Sequence, residues 1–145
     1  EKRPKLLCEL KSASAWYVPG GNSTMGQMYK DAGAEYAFAS YEESGSVPLA
    51  FEVVLDKAAD ADLWLVKYNS SVDMTLSSMV DDYSGYSHFK AFKSGNVYAC
   101  NSATKRLFEE RSFHPEKVLR ELVALFHPEL MPDYKMRYYE KMRIE

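Results

Sequence analysis

The apolar run Leu-Trp-Leu-Val at residues 63–66 constrains the fold more than any other stretch of the sequence. A strand that is apolar on both faces has to be covered on both faces, which is typical of a parallel sheet between two layers of helices. Shorter strand-like segments at 5–10, 34–39 and 96–100 alternate along the chain with amphipathic helical segments. This alternation predicts an α/β fold, a three-layer α/β/α sandwich whose mostly parallel sheet has four to five strands.

The helices are predicted from apolar residues that lie three and four positions apart. The first covers residues 24–32, where Thr24 and Gln27 have the spacing of a capping box and Gly33 supplies the stop. Three more are predicted at residues 51–58, 73–80 and 115–126. A charged tail helix at 133–145 is predicted to follow an α/β layer formed by residues 1–132.

Length, charge and residue usage exclude several classes of protein. A chain of 145 residues has the size of one domain, and its net charge of -3 provides no global field for a nucleic acid. Cys8 and Cys100 lack a C-x-x-C spacing and are expected to be buried free thiols. The histidines His88, His114 and His127 lack metal-ligand spacing, and the last two are expected at helix ends.

Candidate binding residues follow from the direction of the sheet. In a parallel sheet, ligands bind beyond the carboxyl ends of the strands, where loops and helix N-termini meet. The segments expected there are residues 12–23, 40–47, 67–72 and 101–113. They contain side chains suited to contact a ligand, namely Trp16, Tyr17, Tyr41, Tyr68, Asn69, Asn101, Arg106, Phe108 and Arg111. For Trp16 and Tyr17, which are expected on a loop, covering the core and contacting a ligand both remain open.

The sequence contains no recognisable set of catalytic residues. The turn Val-Pro-Gly-Gly-Asn-Ser-Thr at 18–24 could hold a phosphate on backbone N–H groups, but it lacks both the G-x-G-x-x-G pattern and the P-loop lysine. A G-x-S-x-G elbow is also missing. A phosphate- or nucleotide-binding lobe of an α/β enzyme is therefore the second hypothesis, beside a protein that only binds.

The order and spacing of several segments resemble the carboxyl-terminal lobe of the periplasmic substrate-binding proteins that serve ABC importers of ferric siderophores, haem and cobalamin. The matching segments are RPKLLCEL, YVPGGNSTMGQMYKDAGAEYAFA, VPLAFEVVLDKAADADLWLV, FKAFKSGNVYAC and FHPEKVLRELVALFHPEL. Together they span most of residues 3–130. One departure is Ala50, where the family usually has a serine, and it leaves Glu52 in register.

The resemblance implies a function and a location. Such a lobe would bind its cargo in a cleft against an amino-terminal lobe, which on this resemblance lies outside the given sequence. Glu52 would dock on arginines of the membrane permease, although on its own a carboxylate in a first helical turn is simply a partner of the helix dipole. The resemblance further implies a periplasmic or lipoprotein-anchored protein with no catalysis and no resident cofactor. Its ligand would be a ferric siderophore, haem or cobalamin, and not a bare zinc or manganese ion.

Overall fold

The structure is a computed structural model that describes residues 3–11, 15–68, 74–101 and 113–143. Its main sheet has five strands, in the spatial order β3 (Glu35–Tyr36), β1 (Lys5–Cys8), β5 (Leu63–Tyr68), β6 (Val97–Asn101) and β7 (Glu140–Lys141). The first four are parallel, and β7 runs antiparallel to β6. The prediction of a mostly parallel sheet is therefore confirmed, with the apolar strand β5 in its centre.

Helices cover both faces of this sheet. They are α1 (Thr24–Asp31), α2 (Phe51–Ala58), α3 (Leu76–Asp82), α4 (Lys90–Ser94) and α5 (Pro115–Phe126), with short 3-10 helices at Ser84–His88 and Pro128–Leu130. α1 leads from β1 outward to β3 and α2 leads back to β5, so right-handed crossovers place these two helices on opposite faces. α5 packs beside α1, whereas α4 packs on β5. The arrangement is the expected α/β layering.

Trp16 and Tyr17 belong to a strand rather than a loop. β2 (Trp16–Pro19) pairs antiparallel with β4 (Ser46–Leu49) in a separate two-stranded sheet, here called the β2–β4 ribbon. Successive side chains of a strand point to opposite faces. Trp16 is accordingly fully buried, whereas Tyr17 is 46% exposed. The loop predicted for these two residues is therefore wrong.

The start of α1 differs by one residue from the predicted capping box. The N-cap is Ser23, whose hydroxyl accepts a hydrogen bond from the Gly26 N–H at 3.0 Å. The box predicted from Thr24 and Gln27 is wrong, because Thr24 is already the first helical residue. At α2 the N-cap is Ala50, which provides no side-chain hydrogen bond. The start of α2 agrees with the sequence prediction.

The tail after α5 is not helical between residues 133 and 143, where β7 instead adds a strand to the sheet. The cause is Glu121, which is fully buried on α5. Its carboxylate accepts hydrogen bonds from the N–H groups of Arg137, Tyr138 and Tyr139 at 2.7, 2.8 and 2.7 Å. Since these N–H groups are not available to a helical ladder, the predicted tail helix is wrong.

Aromatic rings join the β2–β4 ribbon to the main sheet. Trp16 stacks on Trp64 with ring centroids 5.9 Å apart, and the ring of Tyr86 lies edge-on to Trp16 at 5.7 Å. The indole N–H of Trp16 donates to the Cys8 carbonyl oxygen at 3.0 Å, and that of Trp64 donates to the Glu9 carbonyl oxygen at 2.9 Å. These contacts fix the backbone at the carboxyl end of β1.

The cysteines lie in the core, and two of the histidines lie at helix ends. Cys8 and Cys100 are buried thiols, as predicted. His114 is the N-cap of α5 and His127 is its C-cap, so their positions at helix ends are confirmed. Within the described ranges, no group of His, Cys, Asp and Glu is placed to hold a metal ion. The helices of the same part of the chain are too short or too polar to cross a bilayer.

Candidate functional site

A pocket of about 320 Å³ opens at the carboxyl edge of the main sheet. It lies between the ends of β1 and β5, the β2–β4 ribbon and the N-terminus of α1. Much of its lining is polar or charged and comes from Glu9, Ser23, Thr24, Ser44, Ser46 and Lys67. Its position agrees with the rule that ligands of parallel sheets bind beyond the carboxyl ends of the strands.

Glu9 directly follows β1 and has a left-handed backbone conformation, with a φ of 71°. In the described part of the chain it is the one residue other than glycine with a positive φ. Its N–H donates to the Leu65 carbonyl oxygen at 2.9 Å, and its own carbonyl oxygen accepts from the indole N–H of Trp64. Such strain costs about 1 kcal/mol or more and is found preferentially at functional sites.

The side chain of Glu9 is paired with Lys67 inside the pocket. The carboxylate Oε2 lies 2.8 Å from the ammonium Nζ, and the two side chains are 17% and 13% exposed. A carboxylate accepts several hydrogen bonds and an ammonium has three N–H donors. The pair can therefore hydrogen-bond to a polar ligand while it stays intact.

Tyr17 provides an exposed ring at the rim of the pocket. It lies on β2 opposite Pro48 of β4, on the outer face of the β2–β4 ribbon. The ribbon is held in place by the Tyr36 hydroxyl, which donates to the Pro19 carbonyl oxygen at 2.5 Å. The ring of Tyr17 thus projects from a supported strand, which suits contact with a ligand at low entropic cost.

The Pro-Gly-Gly turn after β2 is closed by its own hydrogen bonds. The N–H groups of Gly20, Gly21 and Asn22 donate to carbonyl oxygens of the loop at 41–45, at 2.8, 2.6 and 3.2 Å. A Cβ atom on Gly20 would collide with the Glu43 carbonyl oxygen. The glycines therefore allow two loops to approach each other, and their N–H groups are not available to a phosphate.

Among the predicted ligand contacts, Trp16 is a clear error. Its ring is fully buried and stacks on Trp64, so it covers the core and presents no surface to a ligand. The alternation of the strand gives the outward position to its neighbour Tyr17. Of the two rings predicted on this segment, only that of Tyr17 lines the pocket.

Of the remaining predicted residues, Tyr41, Tyr68 and Asn101 are described, and they are not part of the pocket lining. Tyr41 is half-buried, and its ring packs 6.4 Å from Phe38. The Tyr68 hydroxyl accepts a hydrogen bond from the Met74 N–H at 2.9 Å, and Asn101 is 6% exposed at the end of β6. The other predicted contacts lie outside the described residues, namely Asn69, Arg106, Phe108 and Arg111.

Sequence reasoning did not single out Glu9 and Lys67, although a usable signal was present. Glu9 comes immediately after the first strand, and Lys67 is the charged residue that interrupts the apolar run of the central strand. The rule that selected aromatic residues near strand ends applies equally to charged ones. What the sequence does not reveal is the left-handed backbone that turns the Glu9 carboxylate toward Lys67.

Glu52 lies exposed in the first turn of α2. Beside it, the apolar side chain of Val53 is 38% exposed. The N-terminus of α2 lies toward the carboxyl edge of the sheet, because its C-terminus leads into the start of β5. This outer surface presents a carboxylate beside an exposed apolar side chain.

Comparison with known proteins identifies the family to which this chain belongs. Residues 1–104 match the family model described as periplasmic binding protein. An uncharacterized lipoprotein of Methanocaldococcus jannaschii is 29% identical over 145 residues, which cover 98% of this chain and 34% of that protein. This chain therefore spans about a third of the length of that curated relative.

Two solved structures share the fold. The TroA-like periplasmic binding protein FepB from Veillonella parvula superposes with a TM-score of 0.70 at 18% identity, over 99% of this chain and 50% of that one. The IsdE protein of S. aureus, solved in complex with haem, gives a TM-score of 0.59 at 20% identity, over 88% of this chain and 48% of that one. At such identities these structures establish the fold alone. The match to the family model covers well over half of the sequence, and the chain belongs to the periplasmic binding protein family.

Proposed function

We propose that the chain is one lobe of the substrate-binding component of an ABC importer, and that its cargo is a ferric siderophore, haem or a corrinoid. The cargo lies in a cleft between this lobe and a second one, and the protein passes it to the membrane permease. It catalyses no reaction, holds no resident cofactor and works in the periplasm or anchored by lipid at the cell envelope. Membership of the family supports the importer role, and the lipoprotein relative supports the anchored location.

The observation that carries the proposal is the pocket at the carboxyl edge of the sheet. A second lobe placed over this edge would enclose the pocket, and a ligand between the lobes would contact Tyr17 together with the Glu9–Lys67 pair. The S. aureus structure with haem is a relative of the same fold with an iron-containing ligand. This likeness supports a bulky iron complex as cargo.

The alternative of a phosphate- or nucleotide-binding enzyme lobe has weaker support. That hypothesis needs free N–H groups in the turn before α1. The N–H groups of Gly20, Gly21 and Asn22 instead donate to carbonyl oxygens of the neighbouring loop. The geometry therefore favours the binding protein.

Spectroscopic titration of the full-length binding protein that carries this lobe tests the proposal. The cargo panel consists of haemin, cyanocobalamin, ferrichrome and ferric enterobactin, with ATP as the probe for the enzyme alternative. We expect one member of the panel to bind with micromolar affinity or better and to raise the midpoint of thermal unfolding. A thermal shift with ATP and none with the panel would contradict the proposal.

The permease-docking role of Glu52 is tested separately by import assays. Glu52→Arg places a cation against the arginines proposed on the permease, so we expect import to fall while cargo affinity is unchanged. Glu35→Arg is the matched control, because Glu35 is also exposed but lies on β3, where the parallel strands begin. Import by the Glu52 variant at the level of the control would refute the docking role.

A further inference from the structure

We propose that α5 and the tail form a second binding site, which takes the phosphate group of an anionic ligand. The site is a pocket of about 250 Å³, and the described residues that line it differ from those of the pocket at the carboxyl edge. Its lining consists of Glu116, Lys117 and Arg120 of α5 with Tyr134 and Arg137 of the tail. Three cations and one carboxylate thus meet at this pocket, in a chain whose net charge is -3.

Arg120 lies on α5 at a position where the sequence would pair it with Glu116. The two residues are four positions apart, the spacing at which opposite charges on a helix attract each other. The Glu116 carboxylate instead lies 3.5 Å from Nδ1 of His114, at the start of the helix. Within the described residues, no carboxylate forms an ion pair with the Arg120 guanidinium. Its charge is therefore available to an external anion.

Arg137 lies on the tail side of the pocket and is positioned by its own backbone. Its N–H donates to the Glu121 carboxylate at 2.7 Å, which fixes the point from which the side chain extends. Glu121 does not need the guanidinium as a partner, because its oxygens accept from three backbone N–H groups and from the Tyr134 hydroxyl. The described part of the chain contains no ion pair of Arg137 either. Two exposed arginines on separate supports therefore border one concave surface.

The chemistry of the lining favours a phosphate group as the ligand. A guanidinium presents a planar fork of N–H donors that fits a pair of phosphate or carboxylate oxygens. A phosphate monoester carries a charge of about -1.5 to -2 and three strong acceptor oxygens, so it can engage two forks at once, whereas a carboxylate has only two oxygens. The Tyr134 hydroxyl donates to Glu121 at 2.9 Å, so the donors for the anion come from the cations.

The size of the pocket limits what the phosphate group can be attached to. Pockets for drug-sized organic ligands have volumes of about 300 to 1,000 Å³. A pocket of about 250 Å³ admits a phosphate group with a small substituent. Two sources offer such a group, namely a small soluble phosphate and the headgroup of a membrane lipid.

Calorimetric titration of the full-length binding protein, free of cargo, tests the soluble source. The probes are inorganic phosphate and glycerol 1-phosphate at low ionic strength, where surface charges are least screened. We expect a dissociation constant of about 1 mM or tighter. Arg120→Gln and Arg137→Gln should each weaken binding about tenfold or more, because each removes charge-assisted hydrogen bonds.

Stability and a matched variant control for indirect effects. Arg137→Gln keeps the backbone N–H that donates to Glu121, so its thermal midpoint should stay close to that of the parent protein. Arg143→Gln makes the same chemical change at an exposed position of the tail outside the pocket, and it should leave phosphate affinity unchanged. Cargo affinity should be unchanged in all three variants, because the residues of the other pocket are intact.

Sedimentation with lipid vesicles tests the membrane source. Vesicles of equal parts phosphatidylcholine and phosphatidylglycerol present an anionic headgroup, and vesicles of phosphatidylcholine alone are the uncharged control. Binding to the mixed vesicles that Arg120→Gln weakens and Arg143→Gln does not supports a site for a lipid headgroup. The same pattern with the soluble probes and no vesicle binding supports a site for a soluble phosphate.

The remaining outcomes separate this inference from the proposed function. If neither the soluble probes nor the mixed vesicles bind, the inference is overturned and the importer function, which depends on the other pocket, still stands. Equal binding by the parent protein and by the Arg120 and Arg137 variants also overturns it, because the anions then attach to the general surface. A thermal shift with ATP that Arg120→Gln abolishes supports this site and gives no support to the enzyme alternative.

Discussion

The carboxylate of Glu121 accepts a hydrogen bond from the Tyr139 N–H at 2.7 Å and so fastens the tail of the chain to α5. It also accepts hydrogen bonds from the N–H groups of Arg137 and Tyr138 and from the Tyr134 hydroxyl, at 2.7, 2.8 and 2.9 Å. A buried carboxylate is tolerated only when its oxygens are hydrogen-bonded, and these four donors meet that requirement. The segment between α5 and β7 is thus held in place by the side chain of Glu121.

We expect Glu121→Gln to lower the free energy of unfolding by about 3 kcal/mol. The amide keeps one acceptor oxygen, but its NH₂ group would face backbone N–H donors. Urea unfolding measures the change. Glu116→Gln is the control, since Glu116 is exposed on the first turn of the same helix and should change stability by less than about 0.5 kcal/mol. Equal unfolding midpoints for the two variants would contradict this account of the tail.

Tyr139 carries a buried hydroxyl that finds no hydrogen-bond partner among the described residues. Since an unsatisfied buried polar group costs about 1 to 3 kcal/mol, we expect Tyr139→Phe to raise the free energy of unfolding by about 1 kcal/mol. Tyr36→Phe is the contrasting variant, because it loses the hydrogen bond to the Pro19 carbonyl oxygen and should destabilise the protein. A lower thermal midpoint for Tyr139→Phe would show that its hydroxyl is satisfied.

Alkaline pH should destabilise the fold. Burial raises the pKa of ionisable side chains of the core, namely the thiol of Cys8 and the phenols of Tyr29, Tyr36, Tyr86 and Tyr139. In the unfolded chain they titrate near their ordinary values, 9.0 for the thiol and 10.0 for the phenols. Above those values the unfolded state binds fewer protons than the folded state, so stability falls by about 1.4 kcal/mol per pH unit for each group. Stability is retained below these values and lost as the pH rises above them.

Thermal unfolding between about pH 8 and pH 11 measures this dependence. Tyr139→Phe removes one of these groups, so the stability of the variant should fall less steeply with pH than that of the parent protein. Parent and variant profiles that stay flat up to pH 11 would show that these side chains ionise as easily in the folded protein as in the unfolded chain.

The sequence predicted the parts of the fold that depend on local pattern. The run of β5 is apolar on both faces and predicts a central strand, and the proline at the start of α5 predicts the beginning of a helix. Each prediction depends on only a few neighbouring residues. The β2–β4 ribbon was not predicted, because its stability comes from pairing between strands that lie about thirty residues apart in the sequence. The conformation of the tail was not predicted, because nothing in the sequence distinguishes Glu121 from an exposed glutamate of a helix. In the structure Glu121 is buried and accepts hydrogen bonds from backbone N–H groups of the tail.

The candidate site was predicted in location and only partly in composition. The direction of the parallel sheet was enough to indicate the carboxyl edge, where the pocket opens beside Tyr17. Which ring of a Trp-Tyr pair faces outward depends on the pairing of β2, which the sequence does not specify. The Glu9–Lys67 pair depends on a backbone angle that local sequence does not determine, since glutamate rarely adopts it.

Trp16 and Tyr17 are adjacent in sequence but should respond oppositely to truncation. Trp16 is fully buried between Trp64 and Tyr86, so Trp16→Ala should lower the free energy of unfolding by about 3 to 5 kcal/mol. Tyr17 is 46% exposed at the pocket rim, so Tyr17→Ala should cost stability little and should weaken cargo binding. Urea unfolding and titration with the tightest-binding member of the cargo panel measure the two effects. Weakened binding by a stable Trp16→Ala protein, with full binding by Tyr17→Ala, would reverse the assignment of the two rings.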